Sequence, residues 1–384
     1  MHSKYTLIGV REHLDFVDNH QYWDHPSFPV RQWGMPYLFS NMSSISRLAQ
    51  NPRYLMPARI FGKPYTVTEF NFCNPNPNRM ESAPLIGGYA ALQDWDGLYR
   101  FAWSHNRANM EKFNVPMGFD IVNDPQAQFA ERIIRLLFMR GDVRPATPAF
   151  AFSCTAEQLR QLSGPPENDG NFPDEFTEFG LYGRIGSLGT NSSLSGVLKL
   201  DPLSPGWQLE LPQPARAALD ELGKTGRVTS AGGEITLDSK AKTVRIVTPR
   251  SEVFTFSGNA DGTVVRLVNG SCYQTAALLS LDGRELAESR SLLFLQLPNL
   301  AATKMKFTNS RRNLLESWGQ LPLLLEKCRT EVELALPAGF RVEALKNNGL
   351  PAGSVPAEYR DGKLRFTADT SARPGGVMAY HLTR

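Results

Sequence analysis

Glu69 is the residue of this sequence whose surroundings point most clearly to chemistry. It lies near the end of a short run of β-branched and aromatic residues, 65–70, a composition typical of a strand. The run follows the turn-prone stretch Gly62-Lys63-Pro64 and leads into a polar segment with two prolines, 71–77. A carboxylate at a strand end can act as a covalent nucleophile, or it can be an ordinary solvated side chain. The residues on the neighbouring strands distinguish the two.

Two further strands are predicted on either side of this one, at residues 14–19 and 98–103. Helical stretches at 43–50 and 83–93 separate the three strands, and this alternation favours a parallel sheet with crossover helices. Parallel β/α units place their chemistry at the carboxyl ends of the strands. The side chains expected at that edge of the sheet are His20, Tyr22, Trp23, Glu69, Asn71, Trp103 and His105.

Three short motifs at these strand ends resemble motifs of a known family. The tripeptide His20-Gln21-Tyr22 is similar to the His-x-Tyr that follows strand six in family-five-like clan A glycoside hydrolases. Residues 68–71, Thr-Glu-Phe-Asn, resemble the nucleophile segment at strand seven, and Trp103 resembles the aromatic residue after strand eight. The resemblance covers residues 1–145 and implies the C-terminal part of a (β/α)8 TIM barrel, with strands six to eight.

By this resemblance the chain is expected to be a retaining glycoside hydrolase that cleaves β-linked poly- or oligosaccharides. Glu69 would be the nucleophile, and Tyr22 would hydrogen-bond its charged form. Trp23 and Trp33 fit a sugar platform and a core position equally well. No cofactor and no metal are implied. The residues expected to contact the sugar are His20, Tyr22, Trp23, Asn71, Trp103 and His105.

The second carboxyl group that this chemistry requires is missing from the pattern. Retaining hydrolysis needs an acid about 5 to 5.5 Å from the nucleophile, and in this clan it follows strand four, usually as Asn-Glu. The sequence contains no Asn-Glu dipeptide. Other carboxylates near the motifs, none of them marked by a neighbour, are Asp24, Glu81, Asp94 and Asp96. We therefore expect the acid to lie outside this chain, which would be the C-terminal piece of a longer protein.

A partial barrel leaves an unpaired strand edge and uncovered apolar faces. We expect it to associate, either with a second copy through the exposed edge or with a separately encoded N-terminal barrel half. The alternative to a catalytic role is that the chain is a carbohydrate-binding or association module that carries a barrel remnant.

The character of the sequence changes after the first 145 residues. A helix with one apolar stripe is predicted to begin at Asp124-Pro125 and to stop at Gly141. Residues 146–227 are predicted to be a linker and loop-rich region with short helices. Residues 228–384 hold β-type runs separated by Asp-Gly and Asn-Gly dipeptides, which are hairpin-turn residues. The fold class expected is α/β plus all-β, with an antiparallel β-sandwich or a pair of small β modules in the second half.

Composition excludes several other classes. The 384 residues carry a net charge of +3, with 41% hydrophobic and 21% charged residues, which is typical of a globular chain of two or three domains. The charge is too mild for a nucleic-acid partner, and no apolar run has membrane length. The four cysteines are widely scattered and indicate neither a metal site nor a dense disulfide framework. The sequence does not indicate the cellular compartment of the chain, and we expect the longer parent protein to be secreted or periplasmic.

Overall fold

A computed structural model describes residues 4–161, 170–190 and 192–384 of the chain. Over these ranges the chain combines helices, two small parallel sheets and one large antiparallel sheet. The predicted combination of α/β and all-β content is confirmed at this level. The strands that precede the large sheet are β1 (Val17–Trp23), β2 (Tyr37–Leu38), β3 (Tyr65–Phe72), β4 (Gly97–Arg100), β5 (Ala149–Phe152), β6 (Arg184–Ser187) and β7 (Val197–Leu200).

The first sheet holds the residues that carry the predicted chemistry. Its order is β1-β3-β4, and both pairings are parallel, as the alternation of strands and helices predicted. The register between β1 and β3 sets His20 opposite Glu69 and Tyr22 opposite Asn71. His20 and Tyr22 thus lie within β1 rather than after it. In the described part of the chain β1 and β4 are both edges, so these strands form an open sheet and not a closed barrel.

The helices between these strands are short. The α-helices are α1 (Ile8–Arg11), α2 (Gln50–Arg53), α3 (Tyr89–Leu92), α4 (Arg107–Glu111), α5 (Pro125–Ile134), α6 (Ala156–Gln161), α7 (Asp174–Phe179) and α8 (Gln213–Thr225). The helix predicted at 83–93 is confirmed as a π-helical segment, Ala83–Gly88, followed by α3. The one predicted at 43–50 is wrong in extent, because only the 3-10 turn Ile45–Arg47 precedes α2. Further 3-10 or π segments are Tyr5–Leu7, Met56–Ala58, Arg79–Glu81, Arg135–Met139 and Trp207–Glu210.

The helix predicted after residue 123 is confirmed as α5. Asp124 caps its first turn, since the Ala127 backbone N–H donates to the Asp124 side chain at 3.1 Å. The helix packs on the segment Ala83–Gly88, where a Cβ on Gly87 would lie 2.9 Å from Cα of Ile134. Only glycine permits so close an approach of two helix backbones.

Residues 146–227, which the sequence predicts to be a linker and loop-rich region, contain the second parallel sheet, of order β6-β5-β7. β5 is buried along its whole length, and its phenylalanines belong to the same apolar core as β3. These strands have four residues each, too few for a period-two pattern to be recognised. The short helices of this region are present as α6, α7 and α8. Residues 162–169 and 191 of the predicted loop-rich region lie outside the described ranges.

The second half of the chain consists of antiparallel strands, namely β8 (Arg227–Thr229), β9 (Ile235–Asp238), β10 (Thr243–Val247), β11 (Ser251–Asp261), β12 (Val265–Ser280), β13 (Ser291–Leu297), β14 (Leu300–Thr303), β15 (Lys306–Phe307), β16 (Leu314–Ser317), β17 (Gln320–Leu325), β18 (Arg329–Leu334), β19 (Arg341–Leu345), β20 (Pro351–Val355), β21 (Ala357–Arg360), β22 (Lys363–Asp369) and β23 (Ala379–Thr383). Twelve of them form one sheet. β12 pairs with β18 at its start and with β13 at its end, and residues of all three strands contribute to one apolar core.

Four of the five Asp-Gly and Asn-Gly dipeptides in the second half lie at hairpins, as predicted. Those at 261–262, 282–283, 348–349 and 361–362 lie between paired or consecutive strands. The exception is Asn269-Gly270, which lies inside β12. Asn269 has a φ of 57°, and the register shifts near Gly258, which is opposite Gly270. This dipeptide therefore forms a β-bulge in one long strand rather than a turn between two strands.

The large sheet packs directly on the first half of the chain. Ile235 on β9 and Ile246 on β10 are fully buried. A Cβ on Gly88 would lie 2.7 Å from Cδ1 of Ile246, so the strand approaches the helical segment at its glycines. One apolar core therefore extends from the parallel sheet to the first strands of the antiparallel sheet.

One segment of the second half pairs with a strand of the first half. β16 pairs with β2, with Leu315 opposite Tyr37, and the Phe39 backbone N–H donates to the carbonyl of Asn313 at 2.8 Å. This pairing brings the loop after β16, which contains Trp318, to the carboxyl end of the first sheet.

A disulfide joins Cys272 on β12 to Cys328 just before β18, at a sequence separation of 56. The chain-entropy treatment of a loop of this length gives about 4 kcal/mol of stabilisation. We expect the variant with Cys272→Ser and Cys328→Ser to lose roughly 2 to 4 kcal/mol in free energy of unfolding, measured by urea denaturation. A loss below about 0.5 kcal/mol, the range of neutral surface substitutions, would contradict this prediction.

Candidate functional site

A pocket of about 520 Å³ opens at the carboxyl end of the first parallel sheet. Its wall is mostly aromatic and carries a small number of polar groups, a combination typical of sites for small molecules. Tyr22, Glu69 and His105 are the predicted site residues that line it. Its complete lining is Tyr22, His25, Pro26, Trp33, Tyr37, Glu69, Phe101, His105, Asn106, Asn109, Met117, Gly118, Phe119, Asp120 and Trp318.

Glu69 on β3 is held by two residues of β1. The Tyr22 hydroxyl donates a short hydrogen bond to Oε2 of Glu69, and Nδ1 of His20 lies 3.5 Å from the same oxygen. The Glu69 side chain is 33% exposed, so the carboxylate is positioned by the protein and accessible from the pocket. The structure thus brings together the three residues that the motifs grouped.

His20 is oriented in turn by Asp18 and Thr68. Its Nε2 lies 3.0 Å from Oδ2 of Asp18 and 2.9 Å from the Thr68 hydroxyl. The Thr68 hydroxyl also donates to Asp18 at 2.7 Å. Both ring nitrogens therefore face carboxylates, which fixes the imidazole in one orientation. His20 does not line the pocket, but it contacts Glu69, which does.

The Tyr22 ring is enclosed by other aromatic side chains. Its centroid lies 5.0 Å from that of Phe119, 5.5 Å from His25 and 6.1 Å from Phe101, all near the edge-to-face geometry that aromatic pairs prefer. This burial, and next the hydrogen bond to Glu69, raises the pKa of the Tyr22 hydroxyl. The phenol therefore stays protonated near neutral pH and acts as the donor to Glu69.

A second polar group in the pocket consists of His105, Asp120 and Asn109. Oδ1 of Asp120 contacts Nδ1 of His105 and accepts the His105 backbone N–H at 3.1 Å. Oδ2 accepts from the Asn109 amide at 2.9 Å. The Asp120 side chain is only 9% exposed, whereas His105 is 46% exposed. His105 therefore reaches the pocket as predicted, and Asp120 holds its ring.

Trp103, which the sequence predicts to border the sugar subsite, does not line the pocket. Its side chain is 55% exposed, and Phe101 forms that part of the wall. β4 ends at Arg100, and the Phe101 backbone N–H still donates to the carbonyl of Phe70 on β3 at 3.0 Å. The aromatic residue directly after the strand is therefore the one that the sheet positions at the pocket, and Trp103 lies too far along the chain.

Trp23 and Asn71, also predicted to contact the sugar, do not line the pocket either. Trp23 is 8% exposed and donates its indole N–H to a backbone carbonyl at 2.8 Å. Successive strand residues face opposite sides of a sheet, so it points away from the pocket that Tyr22 lines. The buried amide of Asn71 donates to the carbonyls of Phe101 and Phe119 at 2.6 and 2.7 Å. It fixes the two segments that carry the aromatic wall.

The carboxylates considered as substitutes for the acid do not line the pocket either. Asp24 accepts the backbone N–H groups of residues 40 and 41 at 2.9 and 2.6 Å. Glu81 is fully buried and accepts a backbone N–H at 3.0 Å. Asp94 pairs with an arginine. Asp96 accepts the backbone N–H of Tyr65 at 2.7 Å, at the end of β3 opposite to Glu69.

Sequence reasoning missed several residues of the pocket wall. Phe119 and Asp120 lie in the loop between α4 and α5, and the one available signal is that loops after strands of β/α units carry function. Trp318 has no local signal, because the pairing of β16 with β2 brings it to the pocket. Phe119 is central to the wall, with ring centroids 5.0 to 6.2 Å away for Tyr22, His25, Trp33, Phe101 and His105.

Within the described ranges, no group of three or more His, Cys, Asp or Glu side chains has an arrangement that could hold a metal ion. Cys73 follows β3 closely in sequence and is fully buried. Burial raises the pKa of its thiol, so the thiolate that would be reactive is not formed near neutral pH. The carboxylates that line the pocket are Glu69 and Asp120, and the imidazoles are His25 and His105.

Comparison with protein-family models finds no match to this chain, and comparison with curated proteins finds none. Among the described residues, no helix combines the length and the apolar character that crossing a bilayer requires. The residues and geometry of the pocket are therefore the basis for a functional proposal.

Proposed function

We propose that this chain takes part in the hydrolysis of β-linked poly- or oligosaccharides, with Glu69 as the nucleophile and with retention at the anomeric carbon. The observation that carries the proposal is a carboxylate hydrogen-bonded by a tyrosine beside a pocket with aromatic walls. Sugars present hydroxyl edges and apolar faces, and flat aromatic rings suit the latter. The strand-end motifs support an assignment to clan A, in which β1, β3 and β4 correspond to barrel strands six to eight.

The proposed reaction has two steps. In the first, Glu69 attacks the anomeric carbon while the bond to the leaving oxygen breaks and a second carboxyl group protonates that oxygen. In the second, water loses a proton to the same carboxyl group and attacks the anomeric carbon, which releases the sugar and restores Glu69. Because Tyr22 and His20 both contact Oε2, we take Oε1 of Glu69 as the attacking atom.

In this proposal the second carboxyl group comes from outside the chain. Asp120 is the other carboxylate that lines the pocket, and its oxygens already contact His105 and Asn109. The edges of β1 and β4 would pair with further strands, supplied by more of the same protein, by a complementing barrel half or by a second copy. Unpaired strand edges favour such association.

The direct test is to trap the covalent intermediate. A dinitrophenyl 2-deoxy-2-fluoro-β-glycoside has a leaving group that departs without protonation, and the fluorine slows the second step. With gluco-, manno-, galacto- and xylo-configured reagents, we expect one of them to add a single fluorosugar to the protein, and peptide mass spectrometry to locate it on Glu69. Labelling of another residue, or of none with any reagent, would remove the proposal.

Tyr22→Phe tests the support given to Glu69. A hydrogen bond to a charged group contributes about 1.5 to 3 kcal/mol, so its loss is expected to lower kcat for a dinitrophenyl β-glycoside about 10- to 150-fold. Tyr99→Phe is the matched control, because Tyr99 on β4 is 60% exposed and outside the pocket. Equal kcat values for the two variants would show that the Tyr22 hydroxyl does not act on the nucleophile.

A glycan-binding protein without catalysis is the second candidate function. It is favoured by the aromatic wall and by the pairing with His105 of Asp120, the second carboxylate among the described residues that line the pocket. Electrophoresis in gels that contain β-glucan, β-mannan or xylan would separate the two candidates. Retention that survives Glu69→Gln, with no release of reducing sugar by the unaltered chain, would favour binding alone.

A further inference from the structure

Trp33 is an exposed indole held at the pocket in an unfavourable backbone conformation. Its side chain is 54% exposed, and it lines the pocket. Its φ is 57°, in the left-handed region that a bulky residue rarely adopts and that costs about 1 to 3 kcal/mol. Exposure of a large aromatic side chain also forgoes the stabilisation that its burial would give. Strain and exposure at one pocket residue together indicate contact with a ligand.

The residues around Trp33 hold the indole in place. Its ring centroid lies 4.7 Å from Phe28, 6.0 Å from His25 and 6.1 Å from Phe119. The Tyr37 hydroxyl donates to the Trp33 backbone carbonyl at 2.9 Å. The indole is therefore pre-organised, and a ligand that stacks on it would not have to order the side chain first.

A second indole, Trp318, reaches the same pocket from the C-terminal half of the chain. The pairing of β16 with β2 sets its ring 5.8 Å from Tyr37 and 6.1 Å from Phe39. Gly319 follows with a φ of 82°, and a Cβ there would lie 2.4 Å from the carbonyl of Thr303. Only glycine fits this turn, so the backbone after the indole is fixed.

The aromatic rings form a continuous series of contacts that begins beside Glu69. The series starts at Tyr22, which hydrogen-bonds Glu69, and each following ring centroid lies 4.7 to 6.0 Å from the one before. Trp33 is two ring contacts from Tyr22 in this series, and Trp318 is five. The members in order are Tyr22, His25, Trp33, Phe28, Tyr37 and Trp318.

We propose that Trp33 and Trp318 are stacking platforms for sugar units beyond the one that reacts at Glu69, so that the substrate class is β-linked oligosaccharides of three or more units. This inference rests on the proposed function. A β-linked chain presents apolar faces on successive units, and these match a series of aromatic rings that includes the two indoles. The antiparallel half of the molecule thereby contributes directly to substrate recognition through Trp318.

The test compares dinitrophenyl β-glycosides of one and of three sugar units, in gluco-, manno- and xylo-configured series. Trp33→Ala and Trp318→Ala are each expected to lower the ratio of kcat/KM for the three-unit substrate to that for the one-unit substrate about 3- to 10-fold, the scale of one aromatic contact. The loss should appear mainly in KM. Trp33→Phe and Trp318→Phe should restore part of it. Trp103→Ala, which removes an equally exposed tryptophan outside the pocket, should leave the ratio unchanged.

A binding measurement separates failure of this inference from failure of the proposed function. Calorimetry with the unhydrolysed trisaccharides and the Glu69→Gln chain should give a Kd that Trp33→Ala and Trp318→Ala weaken by a similar factor, with Trp103→Ala as control. Binding that depends on the two indoles without any hydrolysis would support the platform and defeat the catalytic proposal. Hydrolysis with an unchanged ratio in both alanine variants, or no trisaccharide binding at all, would overturn the platform.

Discussion

Replacing Glu69 with glutamine is expected to lower kcat for a dinitrophenyl β-glycoside by roughly 10⁴- to 10⁶-fold, the range that follows removal of a residue of a covalent catalytic unit. The amide has nearly the shape of the carboxylate, and its oxygen can still accept the hydrogen bond that Tyr22 donates to Oε2. It lacks the charge and nucleophilicity needed to attack the anomeric carbon. Because dinitrophenolate leaves without protonation, the measurement reports on the nucleophile and does not depend on where the acid lies.

Glu111→Gln is the matched control for this experiment. Glu111 is a 56% exposed carboxylate that forms an ion pair with Arg107 on the surface of α4 and does not line the pocket. Its substitution removes the same charge and should leave kcat unchanged. Circular dichroism melting curves of both variants establish that they are folded. Turnover by Glu69→Gln at the rate of the unaltered chain would end the assignment of Glu69.

The largest loss of stability is expected for Arg79→Met. Arg79 and Asp124 form an ion pair at 2.9 Å in which the side chains are 2% and 3% exposed. Arg79 also donates to the carbonyl of Leu300 on β14 at 2.8 Å, so it links the first half of the chain to a strand of the antiparallel half. Removing one partner of a buried pair leaves an uncompensated charge and costs about 3 to 5 kcal/mol. Urea denaturation followed by tryptophan fluorescence measures this loss.

Two further variants separate the buried charge from other effects. Arg107→Met breaks the ion pair with Glu111, whose side chains are 86% and 56% exposed, and should cost no more than about 0.5 kcal/mol. Adding Asp124→Asn to Arg79→Met removes the unpaired charge and keeps a residue that caps α5, so part of the lost stability should return. Equal losses for Arg79→Met and Arg107→Met would contradict the account.

The proximity of His20, Tyr22 and Glu69 agrees with the sequence prediction, whereas Trp23, Asn71 and Trp103 do not line the pocket. The parallel pairing of β1 with β3 follows from their alternation with helices, and the pairing sets His20 beside Glu69. The sequence predicts a strand that continues to Trp103, and the resemblance assigns this residue to the sugar subsite, yet β4 ends at Arg100. Strand ends depend on hydrogen bonds to neighbouring strands as well as on local composition. Because the strand ends earlier than predicted, the aromatic wall contains Phe101 rather than Trp103.

The second half of the chain also combines features that the sequence predicts with features that it does not predict. Four of the five turn dipeptides lie at hairpins, because Asp-Gly and Asn-Gly favour the backbone angles of tight turns wherever they occur. The bulge at Asn269 and Gly270 escaped prediction, since the same angles are allowed inside a strand that pairs on both sides. The link between Cys272 and Cys328 also could not be read, because pairing depends on the distance between two strands and not on cysteine spacing.

By itself, the sequence determined the parallel order of the first strands and the antiparallel character of the second half, because both depend on local preferences and on the side-chain alternation of a strand. The grouping of Glu69 with Tyr22 and His20 was implied by the resemblance of the strand-end motifs. The tertiary structure alone decided which rings line the pocket, because Phe119 and Trp318 come from a loop and from a distant strand pairing. Such contacts form when apolar surfaces far apart in the chain are buried together, and that free energy depends on the whole fold rather than on neighbouring residues.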